Sequence, residues 1–419
     1  MASFSPTPTT ALPSDPVSQS EPASRIVTGS VHRRLYTTHI SQQETSLTSN
    51  NMLRIITSFS EILESKNEWN RLAGTNPFTS WEWMTNWLEY LEPNTEPLIL
   101  VQTGSNGDWT GLAPFCRQTS ATGSKRVRFI GSGKACSDYQ NLICDVETEN
   151  QFVSNVSALL CDIAKGKTSQ DPFNLLELDG VTLADQLMQK FIAALENSGF
   201  KSTPLQIEGT WVSKLPESEA ELIQSFSKSM RRKVKTAGKR LDHANTRIIS
   251  TNETPFDSIW PTFVELHQQR RKMLNQAGCF ADSEFEIFLN TSCRQLVDSG
   301  LAELTVIENS GEPLAVSMSL LSNDSLMLYQ TGFNVAREKE SPGFQIVLQA
   351  IRSAISRKFK TFDLLRGDEP YKARWNSERT QLTKMRIIPP TSNAVVRQNL
   401  WTSAKSLKSL AIQIAVGES

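Results

Sequence analysis

From Leu301 onward the chain reads LAELTVIEN, PLAVSMSLL and SLMLYQTGFN, then GFQIVLQAIRSAISRK, then KTFDLL. The first three runs and the last have the β-branched and apolar content of strands, and the fourth repeats its apolar residues at the 3.6-residue period of a helix. Two helical runs, FDSIWPTFVELHQQRRKM and EFEIFLNTSCRQLVDSG, come before them. The first half has a similar order. MLRIITSF reads as a strand, and EILESKNEWNRLA and SWEWMTNWLEYLE as amphipathic helices, the second capped by Ser80 with Trp81, Met84, Trp87, Leu88 and Leu91 on one face. Short strands follow in PLILVQT, WTGLAPFCR, VRFIG and YQNLICD, then a helix over 151–165, the strand FNLLELDG, a helix closed by Gly199 and the strand KSTPLQIEG. Strands alternating with helices in this way build an α/β layer. The repeated order suggests an internal duplication, although the halves share no visible identity.

A length of 419 residues exceeds what one core supports, so two units are expected, over 52–210 and 211–390, with a helix over 391–419. Residues 1–51 are nearly half Ser, Thr and Pro; they read as a disordered tail, an organelle transit peptide, or sequence upstream of a true start at Met52. No secretory signal and no apolar run long enough for a membrane span is visible, which gives a cytoplasmic protein as the expectation. The net charge of −1 removes any whole-molecule attraction for DNA or an anionic membrane. Six cysteines are scattered without a C-x-x-C pair, against both a metal site and a disulfide framework. With four histidines, two of them in the tail, catalysis has to rely on carboxylates, tyrosines, backbone amides or a cofactor.

Ser341-Pro342-Gly343 marks a helix start, with Ser341 as N-cap and Pro342 at the first helical position. The unpaired amides of that turn, from Gly343 through Phe344 to Gln345, suit an anion; equally, the triplet can be no more than a helix start. KSMRRKVKTAGKR, over 228–240, is either a solvated helix face or a clamp for phosphate built on Arg231, Arg232 and Lys233. Little aromatic interleaving disfavours a nucleic-acid patch there. In FDLLRGDEPYKARW, over 362–375, Asp363 is a solitary charge in an apolar run, so it either exchanges a proton or anchors Lys372 or Arg374. Glu369 is an alternative base. Tyr371, Lys372, Arg374 and Trp375 fall on about one helical turn, with Lys372 and Trp375 on one face. Covalent serine catalysis and NTP hydrolysis find no motif.

YQTGFN, SPGFQIVLQAI and FDLLRGDEPYKARW, with KSMRRKVKTAGKRL and LHQQRR upstream, resemble the acetyltransferase family associated with bacterial cellulose and exopolysaccharide synthesis. NEWNRLAGTNPFTSWEWMTNW, the Gly111–Pro114 strand and the Ser137-Asp138-Tyr139 turn extend the likeness over roughly 53–390. That family is a branch of the GNAT superfamily and is similar to the Fem-type peptidyl transferases. The resemblance implies two GNAT-like (acyl-CoA N-acyltransferase) lobes, α/β, with mixed, largely antiparallel sheets flanked by helices. It further implies an acyltransferase that moves an acetyl or other acyl group from acyl-CoA, most simply acetyl-CoA, to an amine or hydroxyl of a sugar, polysaccharide or cell-envelope precursor. Lys339 and Gly343 meet the general GNAT phosphate motif only loosely, without its second glycine. On this reading Ser341, Gly343, Phe344, Gln345, Arg231, Arg232 and Lys233 bind the donor, and Asp363 or Glu369 handles the proton. Tyr329 offers a hydroxyl to the thiolate or oxyanion, and His267, Arg271, Tyr371, Lys372 and Trp375 form the acceptor side. The alternatives are a Fem-like transferase dependent on aminoacyl-tRNA and a non-catalytic protein that binds a polysaccharide or a partner.

Overall fold

The computed structural model describes residues 52–92 and 95–403; the N-terminal tail and residues 404–419 lie outside it. Within the described residues thirteen strands form one sheet. They are β1 (Met52–Ile56), β2 (Thr95–Thr103), β3 (Trp109–Thr119), β4 (Lys125–Phe129), β5 (Ile143–Cys144), β6 (Leu175–Val181) and β7 (Lys201–Lys214). β8 (Thr246–Ser250), β9 (Ala302–Asn309), β10 (Glu312–Leu321), β11 (Ser325–Phe333), β12 (Thr361–Arg366) and β13 (Glu378–Ile388) complete it. Helices α1 (Phe59–Glu64), α2 (Lys66–Ala73), α3 (Trp81–Tyr90), α4 (Glu149–Ala164) and α5 (Gln186–Asn197) belong to the first half. α6 (Glu219–Ser225), α7 (Lys228–Leu241), α8 (Phe256–Met273), α9 (Ser283–Asp298) and α10 (Pro342–Ser356) belong to the second.

The strand order is β1-β2-β3-β4-β6-β13-β7-β12-β11-β10-β9-β8, with the short β5 beside β3. Read inward from either edge, each half presents an antiparallel run that ends on a parallel pair: β4 with β6, and β11 with β12. The centre is a long antiparallel ladder between β7 and β13. In it β13, the last strand of the second half, lies against β6 of the first, and β7 lies against β12 of the second. The halves therefore exchange their last strands. The expected boundary between 210 and 211 falls inside β7.

Alternation along the strands assigns the cores. Ile99 and Val101 join one core with Trp83, Trp87, Phe263 and Phe288, which spans helices of both halves on one face of the sheet. Leu98 and Leu100 face the opposite side, where α4 and α5 close the first half. Phe362 and Leu364 point to that same side in the second half, under α7 and α10. α3 is buried over Glu82–Leu88, with α9 packed against it through Asn86 and Gln295 at 2.9 Å and the Trp83 and Phe288 rings at 5.0 Å, and Ser80 caps it as expected, accepting from the Trp83 amide at 3.3 Å. EILESKNEWNRLA is two helices rather than one, divided at Ser65.

Two local expectations change. YQNLICD forms a strand only over Ile143–Cys144, because the preceding segment is a loop in which Cys136 and Tyr139 take positive φ. RGDEPYKARW holds a single 3-10 turn, Lys372–Trp375, after Leu365 at φ +55° and Gly367 at φ +119° have turned the chain out of β12.

Candidate active site

Beyond their last paired residues, Met327 and Asp363, β11 and β12 separate. A bulge in each strand marks the separation. Tyr329 is the extra residue of β11 against β10, and Leu364 and Leu365 are skipped in the pairing of β12 with β7. Bulges of this kind end pairing and re-aim side chains. Leu365, at positive φ, brings its amide back onto Asp363 Oδ1 at 2.7 Å.

Asp363 is 3% exposed. Its Oδ2 accepts from the Tyr139 hydroxyl at 2.5 Å. Burial raises the carboxyl pKa to about 7; the Tyr139 and Leu365 bonds oppose that rise, the neighbouring Asp138 adds to it and Lys372 opposes it. Burial, and after it the charge of Asp363, holds the Tyr139 phenol far above its usual range, so Tyr139 is the donor of the pair. Asp363 and Lys372 are not ion-paired. The Lys372 ammonium donates to the carbonyls of Leu365 at 3.1 Å and Arg366 at 2.7 Å and meets Glu369 at 3.0 Å.

Tyr139 comes from the first half and is positioned by a strap. Arg366 donates from its backbone to Asp138 Oδ2 at 2.9 Å, from Nε to Asp138 Oδ1 at 2.5 Å and from Nη2 to the Ser137 carbonyl at 2.9 Å. Asp138 is fully buried. Gly180 is required beneath the strap: it has φ +69°, and a Cβ there would lie 2.3 Å from the Ser137 carbonyl oxygen.

The other residues named from sequence are placed as follows. Tyr329 donates its hydroxyl to the Ala135 carbonyl at 2.9 Å and meets Trp83 edge-on at 5.5 Å. Ser341 is left-handed, at φ +59°, and makes no side-chain cap; its carbonyl takes the amides of Phe344 and Gln345 instead. Because Pro342 has no N–H, Gly343 supplies the remaining amide of that turn. The Gln345 side chain is buried against the Glu340 carbonyl at 2.9 Å, and the Phe344 ring lies 4.7 Å from the Trp375 ring. Trp375 is thus part of the core under α10. Lys372, also buried, is bonded to the backbone of β12.

His267 is 1% exposed, and burial, with the nearby Arg271 charge, pushes its pKa down to about 4. α8 lies directly on β11 there, since a Cβ on Gly332 would come within 2.4 Å of the His267 amide nitrogen. Tyr371 and Glu369 share one electrostatic neighbourhood with Arg270 and Arg271. Burial lifts the Tyr371 pKa to about 12 and Glu369 adds to the rise, while Arg270 and then Arg271 oppose it. Arg270 was not singled out from sequence. It donates to Thr331 Oγ1 at 2.9 Å and lies 5.4 Å from the Phe333 ring, which also packs against the position of Gly343. Arg270, Arg271, Glu369 and Tyr371 thus lie together beyond the C-terminal ends of β11 and β12, with Gly343 reached through Phe333.

Arg231, Arg232 and Lys233 stand apart. All three are exposed on α7, and Arg231 and Arg232 line an open depression of 430 Å³ with Lys228, Lys235 and Lys239. The cation of α7 that reaches the Ser341 loop is Arg240, which donates to the Glu340 carbonyl. Arg231 lies nine residues earlier, about 13 Å along the helix axis. A second cavity, of 130 Å³, lies between α10 and β8–β11 beside Glu303 and Ser319. Asp363 lines neither cavity. Among the described residues no cluster suited to a metal ion occurs, and no helix is long and apolar enough to cross a membrane.

Residues 224–373, just over a third of the chain, match the family described as acetyltransferase (GNAT) domain, a stretch that contains β8–β12, α10 and Asp363. The crystal structure of FemX is similar over 78% of this chain and 95% of that one, with a TM-score of 0.57 at 13% identity. A conserved protein of unknown function from Bacteroides thetaiotaomicron is similar over 80% of this chain and 100% of that one, with a TM-score of 0.51 at 10% identity. No curated protein matches in sequence. The fold is thus GNAT-like: mixed α/β, with a large, mostly antiparallel sheet flanked by helices.

Proposed function

We propose that this protein is an acyltransferase that moves an acetyl or related acyl group from acyl-CoA to an amine or hydroxyl of a saccharide or cell-envelope precursor. The observation that carries the reading is Asp363: a buried carboxyl with a pKa near neutrality, at the point where β11 and β12 part. Where two strands separate, their free N–H and C=O groups can pair with an extended ligand that carries amides, as the pantetheine arm of coenzyme A does. The Gly343 amide at the positive end of α10, with Arg270 beside it, fits the diphosphate. An acceptor amine or hydroxyl at the Tyr139 hydroxyl loses its proton to the Tyr139 oxygen as the phenolic proton passes to Asp363 Oδ2, so the tyrosine is never left charged. The acceptor lone pair adds to the thioester carbonyl, and amides freed at the β11 bulge stabilise the oxyanion before coenzyme A leaves as the thiolate.

Thermal denaturation with acetyl-CoA, free coenzyme A and aminoacyl-tRNA tests the donor. Coenzyme A at about 100 times its Kd should stabilise the protein by roughly 2.7 kcal/mol, which is several degrees in Tm. Absence of any shift with either form of coenzyme A sinks the donor assignment, and a shift with aminoacyl-tRNA alone replaces it with a Fem-like donor.

A further inference from the structure

The parallel pair of the first half carries a cluster that acyl transfer at Asp363 does not use. Glu177, on β6, is 5% exposed and faces three cations from the strands on either side of it. Lys384 Nζ is 3.0 Å away, Arg126 Nη1 3.3 Å and Arg386 Nη1 3.5 Å. The remaining partners of the two guanidinium groups are neutral: Arg126 Nε donates to Gln118 Oε1 at 2.8 Å, and Arg386 Nη2 to Gln398 Oε1 at 3.2 Å. Among the described residues no second carboxylate joins these three cations, so two positive charges stay unbalanced around one acid. Arg386 Nε is buried and has no hydrogen-bond acceptor among the described residues.

One carboxylate neutralises one of the three cations, and a buried donor without an acceptor costs about 1–3 kcal/mol. Two guanidinium forks and an ammonium converging from neighbouring strands match the several oxygens of a phosphate. The cluster is also accessible. Trp401 closes one side, 4.0 Å from the Arg386 guanidinium, while the Arg126 and Lys384 side chains, 37% and 30% exposed, lead to solvent. We propose that Arg126, Lys384 and Arg386 form an oxyanion-binding site, separate from the acyl-transfer site, that takes a phosphate group. The phosphate is either free or the phosphoryl end of a larger molecule.

Calorimetric titration of the full chain with inorganic diphosphate, in the presence and absence of saturating coenzyme A, tests the site. Binding should persist in both conditions and be unchanged in Asp363→Asn. It should weaken about tenfold in Arg126→Gln or Lys384→Gln, which each remove one charge-assisted contact, and tighten in Glu177→Gln, which removes the internal competitor. Arg126 lies at the rim, so its variant reports even if a deeper one fails to fold. Uridine diphosphate forms the second arm: affinity above that of inorganic diphosphate identifies a nucleotide-borne phosphate, and equal affinity a free one. No binding at millimolar diphosphate, binding that disappears once coenzyme A is present, or binding untouched in the Arg126→Gln, Lys384→Gln double variant overturns the proposal.

Discussion

The two halves place an acid at the same point of the same construction and surround it in opposite ways. In the first parallel pair the last residues opposite each other are Arg128 and Glu177; in the second they are Met327 and Asp363. Both acids are buried, at 5% and 3% exposure. Glu177 lies among Arg126, Lys384 and Arg386, and an arginine stands across from it. Asp363 has no cation within ion-pair distance among the described residues; a phenol and a backbone amide hold it, with a methionine across from it. One backbone arrangement thus serves two uses. Counter-charges make a carboxylate part of a fixed ion network, whereas burial with neutral hydrogen-bond donors leaves it able to exchange a proton near neutral pH.

Under the proposed acyl transfer the contrast predicts that Asp363→Asn lowers kcat by about 10²- to 10⁴-fold in a protein that still folds. Steady-state kinetics beside a melting curve checks both halves of the statement, and full activity in the Asn variant would end the comparison. Next in size is the effect of pH on stability. An acid with a raised folded pKa contributes its stability below the unfolded value near 3.9 and gives it up as pH rises toward about 7. Over that window the wild type should lose roughly 2–4 kcal/mol relative to Asp363→Asn, visible as melting temperatures of the two proteins that diverge as pH increases. Parallel curves would mean that Asp363 is not buried in its charged form. Glu177→Gln should cost about 1–2 kcal/mol, because it leaves three cations facing an amide while Arg126 and Lys384 retain some access to water. Its kcat should stay close to wild type, and a loss as large as that of Asp363→Asn would erase the distinction between the junctions.

Much of the fold was legible because its periods are long and clean. The three strands before α10, α10 itself and FDLL lie where apolar spacing placed them. The exchange of β7 and β13 was not, since nothing in a strand's own composition names its neighbour, and a boundary drawn from element order therefore cut through β7. The site divides in the same way. Asp363 stood out as a charge between Phe362 and Leu364, but its partner Tyr139 lies 224 residues away on a loop at φ +58° that no propensity indicates. Lys372 and Trp375 were rightly placed on one turn, yet side-chain type alone did not say that the turn would face inward. There Lys372 satisfies two strand carbonyls and Trp375 packs on Phe344. The basic run of 228–240 was equally visible, and only the packing of α7 shows that Arg240, rather than Arg231 or Arg232, reaches the Ser341 loop.

The smallest expected effect on stability bears most directly on how Asp363 is tuned. Tyr139→Phe removes one hydrogen bond and leaves the ring, so stability should fall by only about 1 kcal/mol. That bond favours the charged carboxylate, and without it the pKa of Asp363 should move upward from about 7. A base works when deprotonated, so kcat/KM in the wild type should decline as pH falls below about 7, and in Tyr139→Phe the decline should begin at higher pH by up to about one unit. Loss of the hydroxyl as a proton carrier would also lower the plateau at high pH, whereas a purely structural role would leave the midpoint unmoved. An unchanged midpoint with an unchanged plateau would place the titrating group elsewhere and return Asp363 to the same class as Glu177.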